Sequence, residues 1–93
     1  MTYLITHFFE GATQEQYDAI TAEAHPADGS LPKGQLHHFA GPTEGGFLVV
    51  ALWETKEQND AFQQKLFPLI GAMENPPPPP EERTAEVTNQ VSA

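Results

Sequence analysis

Four histidines, one tryptophan, two tyrosines and no cysteine set the chemistry open to this 93-residue chain. Imidazole is the side chain that titrates near neutrality. His38 and His7, each set in an apolar run, are therefore the candidate catalytic residues, as general acids or bases. Trp53 offers a face on which an aromatic ligand can stack and an indole N–H that wants a partner. Tyr17 brings a hydroxyl and Asn89 an amide, and these three are the candidate ligand-binding residues. Each has a plainer reading: a strand histidine hydrogen-bonded to its surroundings, aromatic rings filling a core, and an asparagine in contact with solvent.

Other chemistries lack their residues. His37 and His38 are sequence neighbours that diverge on a strand, His25 stands beside a proline, and no His-x-His or Glu-x-x-His spacing occurs, so no metal site is expected. The interaction of a protonated imidazole with the last carbonyls of a helix accounts for His25. Ser30 and Ser92 sit in no Gly-x-Ser-x-Gly elbow, and Gly45-Gly46 reads as a hairpin turn rather than a phosphate loop.

The elements that must position these groups follow from periodicity and punctuation. Residues 3–9 form an apolar run stopped by Glu10-Gly11, a first strand. Thr13 stands three residues before Gln16, the reciprocal capping pair of a helix start. Tyr17, Ile20 and Ala24 give that helix one apolar stripe, and His25-Pro26 ends it. A loop over residues 27–35 leads to a second strand, 36–40. The cluster at residues 41–46 turns the chain into a third strand, 46–53. Thr55 and Gln58 repeat the capping pair before a second helix, residues 56–73, whose Phe62, Leu66, Leu69, Ile70 and Met73 recur at helical spacing. Pro68 predicts a kink or split near Phe67. Residues 76–83 form a proline-rich connector; its five prolines span roughly 15 Å at about 3.1 Å per residue. Residues 84–91 alternate Ala85, Val87, Asn89 and Val91 against polar neighbours, a fourth strand with that apolar row inward.

The order β-α-β-β-α-β is an α+β, ferredoxin-like arrangement: a four-stranded antiparallel sheet with two helices on one face, in a single domain over residues 1–93. Strand alternation then sorts the candidates. If Gly41 pairs with Gly46 across a four-residue loop, His38 lies opposite Val49 and shares a face with Val49, Ala51 and Trp53. His38 and Trp53 would be about 13 Å apart, at 3.3 Å per residue. A bulge in the turn would reverse the assignment. The face of His7 is undetermined, because both faces of its run are apolar. The third strand is also apolar on both faces, more than two helices can cover, so a second copy of the chain is the expected partner.

Composition narrows the remaining partners. Thirteen acidic against four basic residues give a net charge of −9, which repels phosphate backbones and anionic lipid surfaces, so neither nucleic acid nor a membrane is expected. No basic region followed by an apolar stretch opens the sequence, and no apolar run nears the ~20 residues of a membrane span. A cytoplasmic protein is expected, and the lack of cysteine is compatible with that compartment.

Gly11-Ala12-Thr13-Gln14-Glu15-Gln16-Tyr17-Asp18, His38-Phe39-Ala40-Gly41-Pro42 with Gly45-Gly46, and Val50-Ala51-Leu52-Trp53-Glu54-Thr55 carry a resemblance. With the order of elements, they make the chain similar to the dimeric α+β barrel superfamily, in particular the small bacterial antibiotic-biosynthesis-monooxygenase-like (ABM-like) domains. The resemblance implies two sheets packed face to face across a two-fold axis. It also implies a small-molecule cleft between sheet and helices in each subunit, with the tryptophan of the third strand on the helix side. His38 and Trp53 would then share the cleft, while His37, Leu48, Val50 and Leu52 face the partner. Several members oxidise aromatic or polyketide-like substrates without a cofactor, and none is expected here. Others degrade haem, but the second helix of this chain has no histidine to ligate iron. Two functions follow: cofactor-free monooxygenase-like action on an aromatic or apolar metabolite, or a non-catalytic dimer that binds a small ligand or stabilises another protein.

Overall fold

The computed structural model describes residues 2–93. Its elements are β1 (Tyr3–Glu10), α1 (Gln14–Ala24), β2 (Gln35–Thr43), β3 (Gly46–Trp53), α2 (Lys56–Gly71) and β4 (Glu81–Glu86). They make one antiparallel sheet of order β2-β3-β1-β4, the ferredoxin-like α+β arrangement, with both helices on one face.

Local chemistry explains where the helices start and stop. Thr13 Oγ1 accepts from Gln16 N–H at 3.2 Å and Gln16 Oε1 accepts from Thr13 N–H at 3.0 Å, a complete capping box. Pro26 holds His25 extended (φ −96°, ψ 153°), which ends α1. Thr55 caps α2 by accepting from Gln58 N–H, but the Gln58 side chain does not return the bond and lies against Gly34 instead. Pro68 does not split α2. It falls near the end of the helix, where its missing N–H costs a single bond, the one that would be donated to the Gln64 carbonyl, and the helix continues to Gly71.

Two strand boundaries differ from the sequence reading. The β2–β3 turn has two residues rather than four, because Gly45 takes φ +82° and lets Thr43 pair with Gly46. Strand β2 therefore runs on through Gly41 and Pro42; as an edge strand it tolerates a residue without an N–H. The register moves by two residues, so His38 lies opposite Ala51 rather than Val49 and keeps its face. Strand β4 begins as soon as the prolines end, at Glu81, and stops at Glu86. Thr84 pairs with Ile5 and Ala85 with Leu4, which puts Ala85 on the face away from the helices and leaves Val87, Asn89 and Val91 outside the strand.

Ile5, Ala51 and Trp53 form the buried core beneath the helices, with Tyr3 and Phe62 packed on it. On the opposite face Phe39 is 65 % exposed and Leu48 39 %. Among the described residues no helix is long and apolar enough to cross a membrane. Gly46 sits so close to β1 that a Cβ there would collide with the Phe9 carbonyl oxygen. Gly46→Ala is expected to lower the unfolding free energy by about 1–3 kcal/mol, read as a drop in urea midpoint at unchanged m-value.

Candidate functional site

Between the sheet and the helices lies a cleft of about 560 Å³, its open mouth included. Alternation supplies its floor: Ile5, His7 and Phe9 from β1, His38 from β2, and Val49, Ala51 and Trp53 from β3. Helix α1 contributes Tyr17, Ile20, Thr21 and Ala24, and α2 contributes Asn59, Phe62, Gln63, Leu66 and Ile70. Gln35 and His25 complete the lining. A second apolar hollow of about 350 Å³ continues past Tyr17 and Phe9, with Met73 and Pro77 in its wall.

His38 is hydrogen-bonded through Nε2 to the Tyr17 hydroxyl at 2.5 Å, which ties α1 to the sheet. Tyr17 also stacks on Phe47, with ring centres 4.8 Å apart. Burial pushes the His38 imidazole down to about 4, with His25 adding to the effect. The same desolvation, with the Asp18 carboxylate nearby, raises the Tyr17 phenol above its ordinary value. At neutral pH both members of the pair are uncharged. A neutral imidazole has one N–H and one lone pair. With the phenol donating to Nε2, the buried Nδ1 carries the proton; with Nε2–H donating to the phenol oxygen, Nδ1 presents a lone pair. Nδ1 has no partner within the protein, so the pair can offer either character to a guest.

His7 is 6 % exposed, and its Nε2–H donates to Glu82 Oε2 at 2.9 Å. Its ring meets Phe9 and Phe67 edge-on. Gln63 reaches Asn59 Oδ1 at 3.4 Å and approaches His7 Nε2 only to 3.5 Å, too far for a second bond at a nitrogen already committed to Glu82. His7 and His38 both line the cleft, two strands and one same-face row apart. That is roughly 11–12 Å between Cα atoms by strand spacings, so they flank a guest without touching each other.

Trp53 is 1 % exposed and Tyr17 lies beside His38, so both candidate ligand-binding aromatics reach the cleft. Asn89 does not. Beyond the end of β4 the tail turns to the other face, where Asn89 joins Leu4, Phe39, Val50 and Leu52 in a shallow groove. Polar residues that the sequence reading does not single out include Thr21, Gln35, Asn59 and Gln63 in the cleft lining and Glu82, which bonds His7 beside it. Glu82 falls in the proline-rich connector by sequence, because β4 starts earlier than its apolar residues suggest. Gln35 falls in the loop that the sequence predicts over residues 27–35, whereas β2 begins with it. His25 is not a protonated helix cap: burial, with the Lys65 ammonium adding, holds it below its usual range. Its ring packs edge-on against His38 at 5.0 Å and also meets Phe62.

The sequence matches no known family model and no curated protein. Solved structures do match. SnoaB, a cofactor-independent oxygenase from Streptomyces nogalater, shares 10 % identity over 99 % of this chain and 97 % of its own, with TM-score 0.66. A Chloroflexus aurantiacus J-10-fl protein assigned to the antibiotic biosynthesis monooxygenases shares 16 % over 99 % and 98 %, with TM-score 0.67. The chain has the ABM fold. A mutant of MhuD with two manganese protoporphyrin IX molecules per active site is similar to this chain in fold as well, at 19 % identity, full coverage of both chains and TM-score 0.66. Helix α2 faces the cleft with no imidazole, and Nε2 of both His7 and His38 is engaged. Among the described residues no group of three or more His, Cys, Asp or Glu could hold a metal ion.

The depressed His38 value has a consequence for stability. As pH falls, the unfolded chain takes up the proton near 6.5 and the folded chain only near 4. The contribution is therefore complete above about pH 6.5 and lost as pH falls towards 4. Denaturation curves should show a smaller loss of stability between pH 6.5 and 5 in His38→Asn than in the parent protein.

Proposed function

We propose that the cleft binds a small, largely apolar aromatic metabolite and that the Tyr17–His38 pair moves a proton during its cofactor-free oxygenation. The observation that carries this reading is the Tyr17–His38 hydrogen bond in an apolar cleft, with His38 Nδ1 buried and unpaired. The cofactor-independent oxygenase among the similar structures supports it as an analogy of fold.

In the base form, Nδ1 accepts a proton from an acidic C–H or O–H of the substrate while Nε2–H stays bonded to the Tyr17 oxygen. A resting value near 4 makes His38 a weak base. The anion formed beside it raises its proton affinity, so imidazolium and carbanion or phenolate stabilise one another in the apolar cleft. The substrate anion then passes electrons to dioxygen. For a methylene flanked by aromatic rings the balance is CH2 + O2 → C=O + H2O: a C–O bond forms, both C–H bonds are lost, and the second oxygen leaves as water. His7, held by Glu82 on the other wall, is a second group able to exchange a proton with bound substrate.

We further propose that two copies associate through the exposed sheet face bearing Phe39 and Leu48, which no element of one chain covers completely. Sedimentation should give about twice the 10.2 kDa of one chain; a folded monomer at micromolar concentration would reject the pairing.

Incubation with anthrone-type and phenolic compounds in air should consume one dioxygen per product, and the reaction should stop under nitrogen. His38→Ala is expected to lower turnover by roughly 10²-fold or more, the usual weight of a positioned acid or base. Unchanged turnover in that variant would remove His38 from the mechanism. Ligand-dependent thermal shifts without product from any compound would replace catalysis by binding alone.

A further inference from the structure

Gln35 and Trp53 are direct cross-strand partners at one end of the cleft floor. Both are more than nine-tenths buried, Gln35 at 8 % exposure and Trp53 at 1 %. Each keeps a buried polar atom without a partner: the Gln35 amide oxygen, which accepts, and the Trp53 indole N–H, which donates. Neither satisfies the other. Leaving a buried donor or acceptor unpaired is costly, and native structures contain few of them.

The backbone is built to bring Gln35 there. Simple alternation would send Gln35 to the same side as His37, away from the helices. The register slips by one residue between Gln35 and His37, with Leu36 as the extra one, and Gln35 is turned into the cleft opposite Trp53. Bulges that re-aim one side chain are concentrated beside functional sites. The flanking backbone is pinned, Gln35 N–H to the Pro32 carbonyl at 3.0 Å and Glu54 N–H to the Gly34 carbonyl at 2.8 Å.

We propose that Gln35 and Trp53 together recognise a neutral hydroxyl of an aromatic ligand, one oxygen accepting from the indole N–H while its hydrogen is donated to the glutamine oxygen. This rests on the reading that the cleft binds a small aromatic metabolite, and it adds the polar group by which that metabolite is selected. Charge argues for a neutral partner. No lysine or arginine lines the cleft, and the chain carries a net charge of −9, so a carboxylate would lose its hydration and gain no counter-ion. An ether oxygen would satisfy Trp53 and leave Gln35 unpaired.

Calorimetric titration of the full chain with 2-naphthol, 2-methoxynaphthalene and 2-naphthoate tests this without any need for turnover. 2-Naphthol should bind about tenfold more tightly than its methyl ether, the weight of one buried hydrogen bond, and 2-naphthoate should bind more weakly than either. Gln35→Met should abolish the advantage of the naphthol over the ether. Equal affinities for naphthol and ether in the parent protein would overturn the proposal, and that comparison needs no variant. So would preference for the naphthoate, no binding of any of the three at millimolar concentration, or an unchanged naphthol advantage in Gln35→Met. Selective naphthol binding in a protein that oxygenates nothing would leave this proposal standing and remove the oxygenase reading.

Discussion

Strand β3 lies between β1 and β2 with its residues paired to both, and whatever it sends to one face obliges its neighbours. Phe47, Val49, Ala51 and Trp53 point toward the helices. Ile5, His7 and Phe9 must follow on one side and His38 on the other, because facing residues in a paired ladder share a face. A cleft floor with two imidazoles among apolar side chains results from that pairing. A register slip of one residue in either ladder would turn its histidine to the opposite face.

Desolvation gives the cleft its chemical character. The same burial that makes the helix face cohesive lowers His38 and His25 and raises Tyr17, so these rings sit together as neutral hydrogen-bonding groups. Glu82 brings a carboxylate to the edge of this region, where it is taken up by His7 at the β1–β4 side. The two polar pairs are thereby kept on opposite walls, one neutral and tied to α1, the other carrying an acid and tied to the edge strand.

Much of this was legible in the chain. The capping box at Thr13, the stop at His25-Pro26 and the double-sided apolar run of β3 are local signals, and each appears where the residues imply. The face of His38 is the same for a four-residue and a two-residue turn, because the two registers differ by two residues, one full period of a strand. What escaped depended on tertiary context. Nothing in Gln35-Leu36-His37 announces a bulge, so parity alone sends Gln35 the wrong way. Glu81–Glu86 has almost no apolar residue to mark it as a strand; it pairs because β1 offers an open edge. The alternation that points Asn89 inward belongs to a tail beyond the ladder.

The two outermost strands carry devices against further pairing. Pro42 removes a donor from the rim formed by β2, and the rim formed by β4 is an exposed run containing Glu81, Glu82, Arg83 and Glu86. Open rims of this kind otherwise act as templates for strand addition. Crowding together many copies of this acidic chain should therefore favour discrete complexes over growth of an endless ribbon, since lateral extension of the sheet is discouraged on both sides.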